Sequence, residues 1–208
     1  MKLQVAIDLL NIDEALDIAH QVGGVGIDII EAGSPLIKSV GIRSIQLIKD
    51  LFPNIPVCAD MKIADIGFVE TGLALYSGAS MVTVLSVISD NTIIEALRAG
   101  GYYECVVIAD LLGERDKIKR VSELKALGIK NIYLDFPVEK AGPKDIDYLK
   151  RLTSDPDIKF SIAGSIDDKN VYKLKGLNLD IVVVGRYIAE SKKPGENAWQ
   201  MLEILRSF

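Results

Sequence analysis

LQVAID, residues 3–8, is a short β-branched run that ends in a charge. Its counterpart near the other end of the chain is DIVVVGR, residues 180–186. The two look equally buried, and that equality decides between two folds. An open, doubly wound sheet carries a G-x-G-x-x-G turn after its first strand, and none follows residue 8. A sheet whose first and last strands are equally buried is one that closes on itself.

Six further runs lie between these two: IDIIEAG (27–33), PVCADMK (56–62), MVTVLSV (81–87), CVVIADLL (105–112), NIYLDF (131–136) and KFSIAG (159–164). Amphipathic stretches separate them. In 11–22, Ile12, Ala15, Leu16, Ile18 and Ala19 line one helical face; in 115–127, Ile118, Val121, Leu124, Lys125 and Leu127 alternate with charge. Asn11, Asp90 or Asn91, and Pro143–Lys144–Asp145 read as helix starts; Gly23, Gly78, Gly128 and Gly176 read as helix ends. SKKPGE at 191–196 reads as a turn before the last helix. Nearly continuous apolar strands alternating with helices imply a parallel sheet. Eight units of roughly 25 residues predict an α/β chain forming one (β/α)8 TIM barrel over residues 1–208.

The bulk numbers agree with one globular domain: 208 residues, 49% hydrophobic and 25% charged. A net charge of −5 offers no basic stripe for nucleic acid and no polybasic membrane signal. No apolar run reaches transmembrane length, and MKLQVAIDLL lacks a signal-peptide cleavage pattern. Cys58 and Cys105 sit in apolar stretches and read as free thiols of a reducing cytoplasm.

Barrel enzymes carry their chemistry at the C-terminal ends of the strands. Here those ends hold Asp8, Glu31, Asp60 with Lys62, Asp110 and Asp135, then Gly164–Ser165 and Gly185–Arg186. Five acids around one lysine repel one another unless a cation sits among them. Asp8 and Asp110 read as catalytic with the rest of the rim, a salt bridge at the rim being the structural alternative for each. Asp60, Lys62 and Asp65 fall within CADMKIADIG (58–67) in the spacing D-x-K-x-x-D. Asp60 and Lys62, two apart on a strand, point to the same side, into the barrel mouth. A lysine between carboxylates stays protonated and can stabilise an anionic intermediate. Glu31 and Asp60, on adjacent strands, are hard oxygen ligands that suit Mg2+ with open positions for water or substrate. The last two strand ends suit phosphate, through close backbone approach and the Arg186 cation. Together these features point to a phosphorylated substrate that passes through an enediolate.

MKLQVAIDLL, DIIEAGSPLI, ADMKIADIG, MVTVLS and DLLGERDKIKRVSELKALG resemble 3-hexulose-6-phosphate synthase, in order and over nearly the whole chain. The wider resemblance is to 3-keto-L-gulonate-6-phosphate decarboxylase and orotidine 5′-phosphate decarboxylase, which share D-x-K-x-x-D. The resemblance implies a barrel of the ribulose-phosphate-binding type. It implies Mg2+ on Glu31 and Asp60, an enediolate oxygen held by Lys62, and phosphate on Gly164, Ser165, Gly185 and Arg186. It places Asp65 in the charged network and, in a homodimer, at the partner subunit's site. The implied reaction is addition of formaldehyde to D-ribulose 5-phosphate. The chain departs at the sixth strand, where both sugar-phosphate families carry a proton-transfer histidine and this sequence carries Asp135. Its one histidine, His20, lies in the first helical stretch. Three functions stay open: the synthase, a sibling lyase such as the keto-gulonate decarboxylase, and a sugar-phosphate binder with impaired catalysis.

Overall fold

The eight β-branched runs form eight parallel strands that close into a barrel in the order β1 to β8, with β1 paired to β8. The strands are β1 (Lys2–Ile7), β2 (Ile29–Ala32), β3 (Val57–Ile63), β4 (Met81–Leu85), β5 (Val106–Asp110), β6 (Asn131–Asp135), β7 (Lys159–Ala163) and β8 (Ile181–Val184). The computed structural model describes residues 1–208. The helices are α1 (Ile12–Gly23), α2 (Ser34–Val40), α3 (Arg43–Leu51), α4 (Gly67–Tyr76), α5 (Asp90–Tyr102), α6 (Lys117–Leu127), α7 (Pro143–Leu152), α8 (Arg186–Ala189) and α9 (Pro194–Arg206).

Alternation along each strand divides the apolar residues into two cores. Leu3, Val5 and Ile7, with their equivalents on the other strands, face outward into a 48-residue core beneath the helices. Ala6, Ile29, Cys58, Met81, Ile108, Tyr133 and Val183 face inward and fill the bore. Polar residues in phase with this inner layer therefore emerge at the barrel's C-terminal mouth.

Asn11 caps α1 as its sequence predicts, its Oδ1 accepting from Asp13 N at 2.8 Å and Glu14 N at 3.2 Å. Other boundaries differ from expectation. Ser89, rather than Asp90 or Asn91, caps α5, accepting from the Asn91 N–H. Gly142 precedes α7 and donates to Asp145 Oδ2 at 2.9 Å, so Pro143 is the first helical residue. Gly23 is the last residue of α1 and Gly24 its cap. Pro194 opens α9 rather than lying in the turn. The connection after β7 holds only a 3-10 turn, Val171–Leu174, where the repeat predicts a full helix; Gly176 follows that turn. In α6, Val121 and Leu124 are buried while Ile118 is exposed. His20 lies on exposed α1, its ring 6.2 Å from that of Phe52. Both cysteines are free thiols, Cys58 buried and Cys105 half-buried.

Strand β3 is irregular where it matters. Its register with β4 shifts between Ala59 and Ile63, and Lys62 has φ +48°. The Lys62 N–H donates to Thr83 Oγ1 at 2.9 Å. A left-handed, non-glycine residue inside a strand is a local bulge that re-aims its side chain.

Candidate active site

One cavity of about 480 Å³ occupies the C-terminal mouth, lined by Asp8, Glu31, Asp60, Lys62, Asp135, Gly164, Ser165, Gly185 and Arg186, among others. Asp110 lies just beneath it, 1% exposed, and reaches it through Lys62. Ten of the eleven residues singled out from sequence are thus gathered in one place. Asp65 is the exception. It is exposed beyond β3, where its Oδ1 accepts from the N–H of Ile66 at 2.7 Å, and it does not reach this chain's own cavity.

The floor is an ion cluster. Lys62 Nζ lies 2.9 Å from both carboxylate oxygens of Asp60 and 2.9 Å from Asp110 Oδ2. Thr83 Oγ1 donates to Asp60 Oδ1 at 2.8 Å, and Ser34 Oγ lies 2.8 Å from Asp60 Oδ2. The other Asp110 oxygen accepts from Leu112 N at 2.8 Å. Burial disfavours the Lys62 ammonium, but Asp60 and Asp110 outweigh it, so the lysine pKa rises above its ordinary value. The lysine is therefore a fixed cation throughout the neutral range. Burial raises the Asp110 pKa against the pull of Lys62.

Glu31 is 2% exposed; burial and the charge of Asp60 push its carboxyl well above the usual range. The side-chain amide of Gln4 donates to Glu31 Oε2, while Gln4 Oε1 is buried without a partner. Asp8 stands at the mouth, its pKa raised by burial and by Asp60. Gly33 makes its position possible: a Cβ there would overlap the Asp8 carboxylate.

The opposite wall is built from the ends of β7 and β8. Gly164 has φ +126°, and a Cβ there would overlap the Phe136 carbonyl oxygen, so this turn tolerates only glycine. Ser165 is left-handed at φ +50°, and Arg186 Nη2 donates to its Oγ at 2.9 Å. The N–H groups of Ser165, Ile166 and Arg186 have no acceptor in the protein. An arginine beside such N–H groups forms an anion cradle. Asp135 is exposed on the same rim.

Sequence reasoning passed over Gln4, Ser34, Thr83 and Tyr133. Strand phase could have found two of them, since Gln4 is in step with Asp8 and Tyr133 with Asp135. Ser34 lies beyond β2, where phase says nothing. Thr83 matters because β3 bulges toward it, a feature with no sequence signature.

Glu31 and Asp60 also fit the donor set expected for Mg2+. No three His, Cys, Asp or Glu side chains form a metal-holding group, so two carboxylates would be the protein's share. Asp8, Glu31, Asp60 and Asp110 crowd a single ammonium; burial raises the pKa of Asp8, Glu31 and Asp110, and a dication among them would favour their charged, ligating forms. Glu31 Oε1 has no donor in the protein, whereas Asp60 would exchange a Lys62 contact for the ion.

Residues 1–201 match the family model described as the orotidine 5′-phosphate decarboxylase / HUMPS family. The 3-hexulose-6-phosphate synthase of Mycobacterium gastri is 36% identical over 203 residues, covering 97% of this chain and 98% of the relative. The crystal structure of 3-hexulose-6-phosphate synthase from Salmonella typhimurium superposes with a TM-score of 0.91 at 31% identity, covering 100% of this chain and 99% of that one. The 3-keto-L-gulonate-6-phosphate decarboxylase from Vibrio cholerae shares the fold, with a TM-score of 0.89 at 22% identity over 100% and 98% of the two chains. The barrel, its rim and these relatives agree, and the chain belongs to the orotidine 5′-phosphate decarboxylase / HUMPS family.

Proposed function

We propose that this chain is a Mg2+-dependent aldehyde-lyase of the 3-hexulose-6-phosphate synthase type, adding formaldehyde to D-ribulose 5-phosphate. Its relatives make it an enzyme of carbon–carbon bond chemistry with a sugar-phosphate substrate. One observation carries the finer reading. A single cavity holds an ammonium clamped between buried carboxylates on its floor and an anion cradle on its rim.

In this reading Arg186 and the backbone of Gly164, Ser165 and Gly185 hold the phosphate. The sugar then reaches down to Lys62. Asp135 accepts the proton lost from the carbon that becomes the nucleophile. Lys62 donates to the enediolate oxygen so formed, and Asp60 and Asp110 fix that donor in place before the charge develops. The nucleophilic carbon then bonds to the formaldehyde carbon, whose C=O π bond breaks and whose oxygen takes the proton back from Asp135. Glu31 and Asp60 would hold Mg2+, which when bound supplies further positive charge beside the reacting oxygens. Asp8 orders the mouth of the cluster.

The partner in this reading is a second copy of the chain, with Asp65 serving the other subunit's cavity. Supporting it, Ile66, Phe68, Val69, Leu73 and Tyr76 leave an exposed apolar strip on and beside α4, next to Asp65. A cytoplasmic site of action accords with two free thiols; no helix is long and apolar enough to cross a membrane. Asp135 in place of the family histidine favours a second reading, a sibling lyase on another sugar phosphate or an impaired sugar-phosphate binder.

The test is formaldehyde consumption with ribulose 5-phosphate, followed beside 31P NMR of the same mixture. Stoichiometric loss of both reactants, abolished by EDTA, supports the synthase. Binding without reaction moves the assignment to the second reading. No binding removes the phosphate site from the proposal.

A further inference from the structure

Tyr133 stands in the cavity floor and has no part in the reaction outlined above. It lies on β6, in register with Asp110 on β5 and Ser161 on β7. Its ring belongs to the layer that fills the bore, where its neighbours are alanine, isoleucine, cysteine, methionine and valine. Ser161, its in-register neighbour on β7, is also buried, but Tyr133 and not Ser161 lines the cavity at the mouth. The residue is 6% exposed, and the exposed part lines the cavity together with Asp60, Lys62 and Asp135. Lys62 Nζ lies 5.8 Å from the ring centroid.

The Tyr133 hydroxyl makes no hydrogen bond with any protein group. Buried tyrosine hydroxyls ordinarily find a protein partner; this one has none yet is not sealed off, since the fully buried side-chain polar atoms without a partner are Gln4 Oε1 and Thr71 Oγ1. Packing does not account for this one, since phenylalanine would fill the same space without a polar tip. Tyr133 lines the cavity beside Lys62, so that cavity is where its unpartnered hydroxyl can meet a ligand. Asp60 and Asp110 accept from Lys62 and Glu31 Oε2 accepts from Gln4, and none of the three accepts from the Tyr133 hydroxyl.

We propose that Tyr133 contacts the substrate directly, its O–H donating a hydrogen bond to a sugar-phosphate oxygen beside the carbon served by Lys62. Ammonium and phenol then form a two-donor clamp on the reacting end, while Arg186 holds the phosphate end. The tyrosine O–H bond stays intact; no proton is transferred. The phenol is suited to this, because burial and the negative charges of Glu31 and Asp60 hold it firmly in its neutral, donating form. The inference rests on the sugar-phosphate reading of this cavity.

The test is Tyr133→Phe, which removes one oxygen and keeps the ring. Turnover with ribulose 5-phosphate and formaldehyde is measured alongside thermal unfolding. The chain has seven tyrosines, so 13Cζ-tyrosine labelling gives few enough signals to assign Tyr133 by its loss in the variant. The expected result is a fall in kcat of roughly 100-fold, the scale for losing one oxyanion-type donor, with an unchanged melting temperature. In the wild type, ribulose 5-phosphate should shift the Tyr133 13Cζ signal, and inorganic phosphate should not. Wild-type kcat in the variant, or a Tyr133 signal that stays put while the 31P signal of the sugar phosphate moves, overturns the role of Tyr133 and leaves the functional reading intact. A wild type that neither turns over nor shifts the 31P signal overturns the functional reading, and this inference falls with it.

Discussion

Replacing Lys62 with alanine probes both the chemistry and the stability of the site, and the two effects carry different signatures. For catalysis, Lys62 is the one ammonium on the floor, so Lys62→Ala should lower kcat by about 1,000-fold or more, the upper end for a lost oxyanion donor. For stability, the substitution leaves Asp60 (5% exposed) and Asp110 (1% exposed) without their cation. Breaking a buried ion pair costs about 3–5 kcal/mol. The Lys62 side chain is 26% exposed, so water partly replaces it, and about 2–3 kcal/mol is the better expectation here. For a chain of this length that is a fall in Tm of roughly 5–10 °C.

The sign of the pH dependence follows from the pKa directions. Lys62 has a raised pKa when folded, so its stabilisation is complete below about pH 10.4 and is lost only as pH rises through the raised value. Without Lys62 the Asp110 carboxyl, already raised by burial, rises further. A carboxylate raised in the folded state penalises folding above its unfolded pKa of about 3.9, and the penalty grows until the folded pKa is passed. The gap in Tm between wild type and Lys62→Ala should therefore be small near pH 4 and full near pH 8. Calorimetry at both pH values, beside the formaldehyde assay, measures both effects. A gap independent of pH, or wild-type turnover in the variant, would refute the reasoning.

Four further outcomes are expected. Asp135→His should raise formaldehyde addition at pH 7 by about tenfold, because an imidazole both takes up and returns a proton readily near neutral pH; an unchanged rate gives Asp135 another task. Arg186→Ala should raise KM for the sugar phosphate about 10- to 100-fold, the scale of one charge-assisted hydrogen bond, with kcat little altered in steady-state kinetics. Gly164→Ala should cost about 3 kcal/mol in urea unfolding, since its positive φ and the Phe136 carbonyl leave no room for a Cβ. Mixing Lys62→Ala with Asp65→Ala should restore about one quarter of wild-type activity, as expected if half the dimers are hybrids with one complete site in two; no restoration would confine Asp65 to its own subunit.

The barrel was legible because each strand is a β-branched run and the first matches the last in apolar character. Most of the site was legible because strand phase and strand ends are set by sequence: Glu31, Asp60 and Asp110 lie where alternation puts them. Lys62 was located correctly for an incomplete reason. Regular alternation implies its direction, yet β3 is irregular at that residue, and Thr83 on the next strand holds the bulge. Contacts of that kind are tertiary and leave no local pattern. Tyr133 reads in sequence as an aromatic core residue, which its ring is; the unpartnered hydroxyl appears only once its neighbours are known. The 3-10 turn after β7 was missed because VYKLKGL is apolar enough to suggest a helix, while Gly176 stops it after one turn.

The filled bore has a kinetic consequence. With Cys58, Ile108 and their neighbours packed across it, the cavity is a dead end with one doorway. In the proposed reaction the sugar phosphate is anchored at the threshold by Arg186 and reaches inward, so it stands between solvent and Lys62. Formaldehyde must enter past it, and the larger product must leave by the way its precursor came. Substrate, formaldehyde and product thus share a single route, past Arg186, in both directions.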